Sequence, residues 1–171
     1  MLTKPIKILL FLSSYSPLFL LLIIKISDKI AIIPILLVIV TLILACIPFL
    51  LIKVFTKFKN KEAPVTIKEI NYKDGDTMSY VVTYLLPFLS ITGTPKDVIS
   101  IFILFFVLMI LYINSNLVFI NPVLSMFGYH IYEIQTTSNK TLILITKKDQ
   151  LVVSSQVNLI KLDTNTYYLG E

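Results

Sequence analysis

The chain has 171 residues, of which 56% are hydrophobic and 15% are charged, and its mean hydropathy is +0.87. This composition excludes an ordinary soluble globular domain, in which apolar residues are fewer and charged residues more frequent. The net charge is +5, and all of the basic residues are lysines. Because lysine lacks the planar fork with which arginine binds guanine or phosphate, we expect no direct binding of nucleic acid.

Four segments contain no charged residue, and each reaches the roughly 17 residues that a helix needs to span a bilayer. They cover residues 8–24, 30–52, 78–94 and 98–120. We predict four transmembrane helices. The first and third contain Pro17 and Pro87, so each of these is expected to be either kinked or re-entrant.

The lysines predict the orientation, because positive charge near helix ends stays on the cytoplasmic side. Two lysines precede the first segment and six lie in the loop of residues 53–77, against three on the other side. Both termini and this basic loop are therefore expected to be cytoplasmic. We expect four lysines at the start of the loop to bind anionic lipid headgroups: Lys53, Lys57, Lys59 and Lys61.

Few side chains are available for catalysis. His130 and Cys46 are the single residues of their kinds, and four glycines are too few for a Walker loop or a dinucleotide fingerprint. No catalytic triad or zinc site can be assembled, and Asp74 to Asp76 lack the further acid of a calcium loop, so they predict a turn. We expect a protein that is not an enzyme and holds no metal or cofactor, with His130 in a structural role.

The third segment is amphipathic within the membrane. At 100° per residue, its hydroxyl-bearing residues and its proline fall inside an arc of about 140°. They are Ser79, Tyr80, Thr83, Tyr84, Pro87 and Ser90, and Ser13 and Ser16 form a matching side of the first segment. Such a face avoids lipid. Two arrangements are open: packing of the third helix on the first, or a central axis between the subunits of a homo-oligomer.

The pattern changes from helix to strand after Pro122. The fourth helix is expected to end near Ile113, with Asn121 and Pro122 in an exit turn. The runs "GYHIYEIQTT", "TLILIT", "LVVSS", "NLIKL" and "TYYLG" are rich in β-branched and aromatic residues and alternate with turn formers. They predict a meander of four or five strands.

The predicted fold is an all-α membrane domain of four transmembrane helices, residues 1–124, followed by a small cytoplasmic β domain, residues 125–171. A sheet of this size is barely large enough to fold alone, and open strand edges often bind partners. We therefore expect it to lean on the membrane domain, on a copy of itself or on another protein, and to act as a docking module. The candidate docking residues are Tyr129, Ile131, Tyr132, Leu142 and Leu144.

Three stretches, "FLSSYSPLFLLLIIK", "YVVTYLLPFLSI" and "NPVLSMFGYHIYEI", together resemble the KwaA membrane subunit of the Kiwa anti-phage defence system. The resemblance covers nearly the whole chain and rests on apolar segments and their order. It implies a four-helix protein of the bacterial inner membrane that forms a homotetramer and responds to phage attack. It also implies a soluble DNA-binding partner, KwaB, which interferes with phage replication and transcription. No functional residue is carried over from the family.

The functional hypothesis is a non-enzymatic membrane sensor and scaffold. Disturbance of the bilayer would change helix packing along the polar face of the third segment and reach a cytosolic partner through the basic loop and the strands. The alternative is a small homo-oligomeric pore whose wall is the same polar face. A third possibility is an accessory subunit of an unrelated membrane complex.

Overall fold

The computed structural model describes residues 2–26, 32–58, 64–89, 95–114 and 120–170. Within these ranges the chain forms six helices: α1 (Lys4–Ser14), α2 (Ser16–Ile26), α3 (Ile32–Phe58), α4 (Asp74–Leu89), α5 (Pro95–Asn114) and α6 (Pro122–Met126). It also forms six strands: β1 (Val65–Tyr72), β2 (His130–Thr136), β3 (Thr141–Thr146), β4 (Gln156–Val157), β5 (Ile160–Lys161) and β6 (Thr166–Leu169). All strands except β1 follow the last helix.

The first apolar segment is a bent pair of helices, α1 and α2, whose axes differ by 47°. Pro17 accounts for the bend, because its ring nitrogen has no hydrogen with which to bond the carbonyl of Ser13. By length and composition, α3 is long and apolar enough to cross a membrane, and α1 with α2 passes the same test as one bent span. The apolar part of α5, Ile99–Asn114, is shorter, and residues 90–94 of the third predicted span lie outside the described residues. The count of four spans stays a prediction.

The strands form one sheet in the order β4-β1-β2-β3-β6-β5. Neighbouring strands are antiparallel except β3 and β6, which run parallel, so the chain leaves a simple meander after β3. Both edge strands, β4 and β5, are only two residues long. Short edges leave little backbone free for the addition of another strand.

Strand β1 lies inside the predicted basic loop, residues 53–77, which is therefore not a loop throughout its length. Helix α3 runs on to Phe58, and the chain then pairs with β2 from Ile67 to Tyr72. A bulge between Ile67 and Glu69 keeps the alternating apolar residues on the inner side although the spacing changes. The exposed charges of Lys68 and Glu69 obscure this alternation in the sequence.

The predicted strand "LVVSS", residues 151–155, is a turn in the structure. Ser154 has a φ of 66°, and its N–H donates to the carbonyl of Ile67 at 2.8 Å. The hydroxyl of Ser155 donates to the carbonyl of Val152 at 2.6 Å. A short-range side-chain bond such as that of Ser155 competes with a strand ladder, so the apolar residues of this run do not form the predicted strand.

One apolar core joins the helices to the sheet. Its buried members come from the N-terminal residues, from the helices and from β3 and the residue after β5. They are Leu2, Leu10, Phe11, Tyr15, Leu18, Ile52, Tyr112, Leu124, Ile145 and Leu162. A second core contains the residues of β2 and β3 that alternate with Ile145 and point to the opposite face, among them Ile134 and Leu144. The sheet therefore has apolar packing on both faces.

Asn121 holds the point at which the helices meet the sheet. Its side-chain carbonyl accepts from the N–H of Val123 at 2.9 Å, which caps α6, and Pro122 occupies the first turn. Its amide nitrogen donates to the carbonyl of Leu10 at 3.5 Å and to the hydroxyl of Ser13 at 3.4 Å. Asn121 has no exposed surface. The predicted exit turn is thus a capped helix tied to α1.

Replacing Asn121 with alanine should destabilise the protein by about 1–2 kcal/mol, because the α6 cap and the buried bonds to α1 are lost together. The melting temperature of the purified protein in detergent measures this loss. Asn158→Ala, at an exposed asparagine between β4 and β5, is the matched control and should leave the melting temperature unchanged. Equal melting temperatures for the two variants would contradict the role given to Asn121.

Candidate functional site

The predicted polar face of α4 is divided between two environments. Tyr80 points toward α1, where its hydroxyl lies 3.5 Å from that of Ser14 and its ring meets Tyr15 edge-on at 6.2 Å. Ser79 and Thr83 are exposed, and their hydroxyls donate to carbonyls of their own helix four residues earlier, at 3.0 and 2.8 Å. Part of the face therefore packs within the chain, and part remains on its surface.

Three other members of this face lie wholly or partly outside the described residues. The backbone of Tyr84 and Pro87 belongs to α4, but their side chains lie outside the described part of the chain. Ser90 lies outside it entirely. Their roles stay predictions.

The matching side of the first segment is buried, but it does not meet α4 as the spacing suggests. Ser16 is 1% exposed, and Ser13 is fully buried and lies beside Asn121. The contact with Tyr80 comes from Ser14, one residue further along. A helical wheel of the whole segment misses this, because the bend after Tyr15 interrupts the helical angle from one residue to the next.

A cavity of about 370 Å³ lies between α4 and α5. Its wall is mostly apolar, with Asp76 and Ser79 supplying polar groups, and it is lined as well by Tyr80, Leu108, Leu111, Tyr112 and Ile120. The outer part of the polar face therefore borders an open space. The cavity has room for an apolar ligand or an apolar side chain.

The predicted docking residues lie in the interior of the sheet. Ile131, Tyr132, Leu142 and Leu144 are all less than 10% exposed, and Tyr129 is half-buried with its ring 6.0 Å from that of Phe49. A docking role does not fit their burial, because each already packs against the chain's own core. The strand pattern marks them as apolar residues of short strands, but it could not show that helices and loops of the same chain cover both faces of the sheet.

Two of the four predicted headgroup lysines are described. Lys53 and Lys57 are exposed in the last turns of α3, where positive charge also suits the partial negative charge of a helix C-terminus. Lys59 and Lys61 lie outside the described residues.

His130, at the start of β2, joins α4 to the loop that follows β3. Its Nδ1 lies 2.7 Å from a carboxylate oxygen of Asp74, the first residue of α4, and its Nε2 lies 3.2 Å from Asp149. The other carboxylate oxygen of Asp74 accepts from the N–H of Ile131 at 2.8 Å. Lys73 adds ion pairs to Asp76 and to Glu133, at 3.4 and 3.8 Å. His130 and the two carboxylates that it contacts form what we call the α4 latch: Asp74, His130 and Asp149.

Protonation decides how many contacts the latch has. Neutral imidazole carries one N–H, so only the imidazolium can donate to both carboxylates. The hydrogen bond to Asp74 raises the pKa of His130 above its usual 6.5, and burial opposes this in part. In the described residues, no group of three His, Cys, Asp or Glu side chains could hold a metal ion.

Hydrogen bonds from Tyr132 hold the loop that contains Asp149. The hydroxyl of Tyr132 donates toward the carbonyls of Lys148 and Asp149, at 2.9 and 2.8 Å. Burial raises the pKa of Tyr132 to about 12, so the hydroxyl keeps its proton at physiological pH. Beyond this anchor the loop exposes two apolar side chains, Val152 and Val153, at 69% and 51%. They are the exposed tip of the loop.

The latch was not predicted, because its members are far apart in the sequence. Asp74 and Asp76 suggest a turn, and a lone histidine suggests a structural residue. One signal was present: acidic residues at the start of a helix are stabilised by its N-terminal partial charge. That signal marks Asp74 as the start of α4, but it does not identify His130 as the partner.

The stability of the protein should fall as the pH rises through the pKa of His130. The stabilisation is fully present below about pH 6.5, where the histidine is protonated in both states, and it disappears above the raised pKa. Because the pairs are partly exposed, we expect a change of about 1 kcal/mol or less. Melting temperatures of wild type and His130→Gln between about pH 6 and pH 8.5 measure it. An unchanged pH dependence in His130→Gln would assign the effect to another group.

A family model described as "Anti-phage protein KwaA" matches residues 6–168. A curated relative, Kiwa protein KwaA of Escherichia coli O55:H7 (strain RM12579 / EPEC), is 26% identical over 122 residues. That similarity covers 68% of this chain, which spans 57% of the length of the relative. No solved structure matches the chain. Since the family model covers almost every residue, the chain belongs to the KwaA family of anti-phage proteins.

Proposed function

We propose that this chain is a non-enzymatic membrane subunit that detects disturbance of the bilayer during phage infection and passes it to a cytosolic partner. The observation that carries the proposal is the surface of α3. Only 17% of the residues in its most apolar 18-residue stretch are buried by the rest of the chain. The core helix of a soluble protein would be mostly buried, so the surface of α3 suits hydrocarbon better than water.

Helix α5 supports the same placement. It carries large apolar side chains that are 42–71% exposed: Ile99, Phe102, Ile103, Phe106, Val107, Ile110 and Leu111. Soluble monomers rarely expose apolar patches larger than a few hundred Å². Together with the lysine distribution, these surfaces favour a multi-pass protein of the bacterial inner membrane with both termini in the cytoplasm.

Polar contacts between helix ends and the sheet provide the route for a signal. The N–H of Leu2, just before α1, donates to the carboxylate of Asp163 at 2.8 Å, in the turn between β5 and β6. The α4 latch ties the start of α4 to β2 and to the loop after β3. A change in the tilt of α1 or α4 within the bilayer would therefore pull on the sheet directly.

The partner that we propose is a cytosolic DNA-binding subunit like KwaB. Because the predicted docking residues are buried and the sheet edges are short, we place its binding surface at the exposed tip of the loop, Val152 and Val153. This tip follows Asp149 of the latch by three residues. Movement of α4 would thus alter the surface that the partner contacts.

We also propose that the chain is a homo-oligomer, a tetramer by resemblance, in contact with membrane lipids. The exposed Ser79 and Thr83 on α4 would then face either a neighbouring copy or a central axis. Their exposure favours the second candidate function, a pore lined by hydroxyls. Ion flux through liposomes that contain the purified protein would support the pore. Vesicles that stay tight would remove it.

The single cysteine reports on membrane placement. Cys46 is exposed in the isolated chain and lies in the middle of α3. If α3 spans the bilayer, a membrane-impermeant maleimide should fail to label Cys46 in intact, inverted membrane vesicles, whose outer surface is the cytoplasmic face, and should label it after the membrane is dissolved and the protein denatured. The control is Val152→Cys in a Cys46→Ser background, which should react in both conditions. Rapid labelling of Cys46 in intact vesicles would contradict a transmembrane α3.

Two variants separate binding of the partner from signalling. Replacing Val152 and Val153 together with aspartate should abolish co-purification with the DNA-binding subunit of the same system, and protection against phage with it. Asp74→Ala breaks the latch and should keep co-purification but reduce protection roughly tenfold in plaque assays, because the coupling between the membrane helices and the partner is weakened. Co-purification by the double aspartate variant would place the docking surface elsewhere. Full protection by Asp74→Ala would remove the latch from the signal.

A further inference from the structure

Helix α6 exposes a pair of large apolar side chains on the sheet side of the helices. Val123 and Leu124 are buried, whereas Met126 and Phe127 are 72% and 62% exposed. Gly128 then turns the chain toward β2 with a φ of 76°, a conformation that glycine adopts without strain. The exposed pair therefore projects from a short, fixed turn, which we call the α6 tip: Met126 and Phe127.

The position of the α6 tip along α3 fixes its depth. The ring of Phe127 meets that of Phe49 edge-on, with 5.0 Å between centroids. The charge-free part of α3, residues 32–52, rises about 31 Å at 1.5 Å per residue, which matches the ~30 Å of bilayer hydrocarbon. Phe49 lies only about 6 Å along the helix from Lys53, the first charge after this part. The α6 tip is thus level with the boundary between hydrocarbon and headgroups.

Positive charges lie on the cytoplasmic side of this level. Lys53 and Lys57 are exposed on α3, one and two turns beyond Phe49. From the sheet, the ammonium of Lys147 lies 5.1 Å from the ring centre of Tyr129, whose ring is 6.0 Å from that of Phe49. An apolar pair with lysines beside it is complementary to the cytoplasmic leaflet, where acyl chains lie beneath anionic headgroups.

We propose that the α6 tip is a membrane anchor for the sheet. Met126 and Phe127 enter the interface of the cytoplasmic leaflet, and Lys53, Lys57 and Lys147 bind the phosphates of anionic lipids. The anchor rests on the proposed membrane function and adds a contact that no spanning helix supplies. It makes the position of the sheet depend on the lipid surface as well as on the helices. A change in headgroup charge would therefore shift the sheet relative to the membrane.

The chain contains no tryptophan, so a Phe127→Trp substitution introduces a single tryptophan, which can be excited selectively over the tyrosines. The full-length variant is reconstituted in neutral vesicles, and in vesicles containing anionic phosphatidylglycerol, with lipids brominated near the top of the acyl chain. Contact with the interface should reduce the emission of the introduced tryptophan, because an aromatic ring at headgroup level lies close to the bromine atoms. Val152→Trp, on the exposed loop, is the matched control and should respond only to aqueous iodide.

The outcomes are distinct. The anchor is supported if brominated lipid quenches the Phe127→Trp variant more strongly in anionic than in neutral vesicles. Changing Lys53, Lys57 and Lys147 to glutamine should then make the quenching in the two kinds of vesicle equal. Quenching by iodide alone places the tip in water, and protection from both quenchers places it against another protein chain; either result overturns the anchor. If Cys46 is protected in the same vesicles, only the anchor has failed. If Cys46 is labelled, the membrane function itself has failed.

Discussion

The helices are held together around one aromatic side chain. Phe11 has no exposed surface, and its ring lies 4.6, 5.0 and 5.3 Å from the rings of Tyr15, Phe105 and Tyr112. These contacts tie α1 to α5, and Tyr15 extends them to Tyr80 of α4. In a bilayer, lipid is as apolar as the helices, so close packing and internal polar contacts have to supply the attraction between them. With α1 fixed in this way, its N-terminal end can meet the sheet.

Two kinds of surface meet at that end of the molecule. The outer faces of α3 and α5 are apolar and exposed, whereas the ends of the helices next to the sheet are joined to it by hydrogen bonds and ion pairs. Apolar contacts with lipid have no preferred direction, but hydrogen bonds do. If the helices lie in a bilayer as proposed, they can adjust to it while each adjustment changes the geometry of specific polar contacts. The proposed sensing role, the α4 latch and the α6 tip all use this difference.

The candidate site was predictable where it depends on one segment. The amphipathic character of residues 78–90 follows from their spacing, and Tyr80 indeed points inward. Partners across the chain were not predictable. Ser14 rather than Ser13 contacts Tyr80, and His130 meets Asp74 and Asp149, because the bend in the first segment and the order of the strands set these neighbours. The same holds for Tyr132 and Leu144, whose burial depends on segments that cover the sheet from both sides.

By itself, the sequence determined what depends on composition and local period: long apolar helices, strands after Pro122, the bend at Pro17 and membership of the KwaA family. Only the tertiary structure decided that β1 joins the sheet, that the sheet continues in parallel from β3 to β6, and that Asn121 ties α6 to α1. The physical reason is the sequence distance over which each effect acts. The spacing of apolar residues and the position of prolines determine the local conformation within a few residues. Strand pairing, hydrogen bonds between elements and the burial of a strand depend on groups brought together from distant parts of the chain.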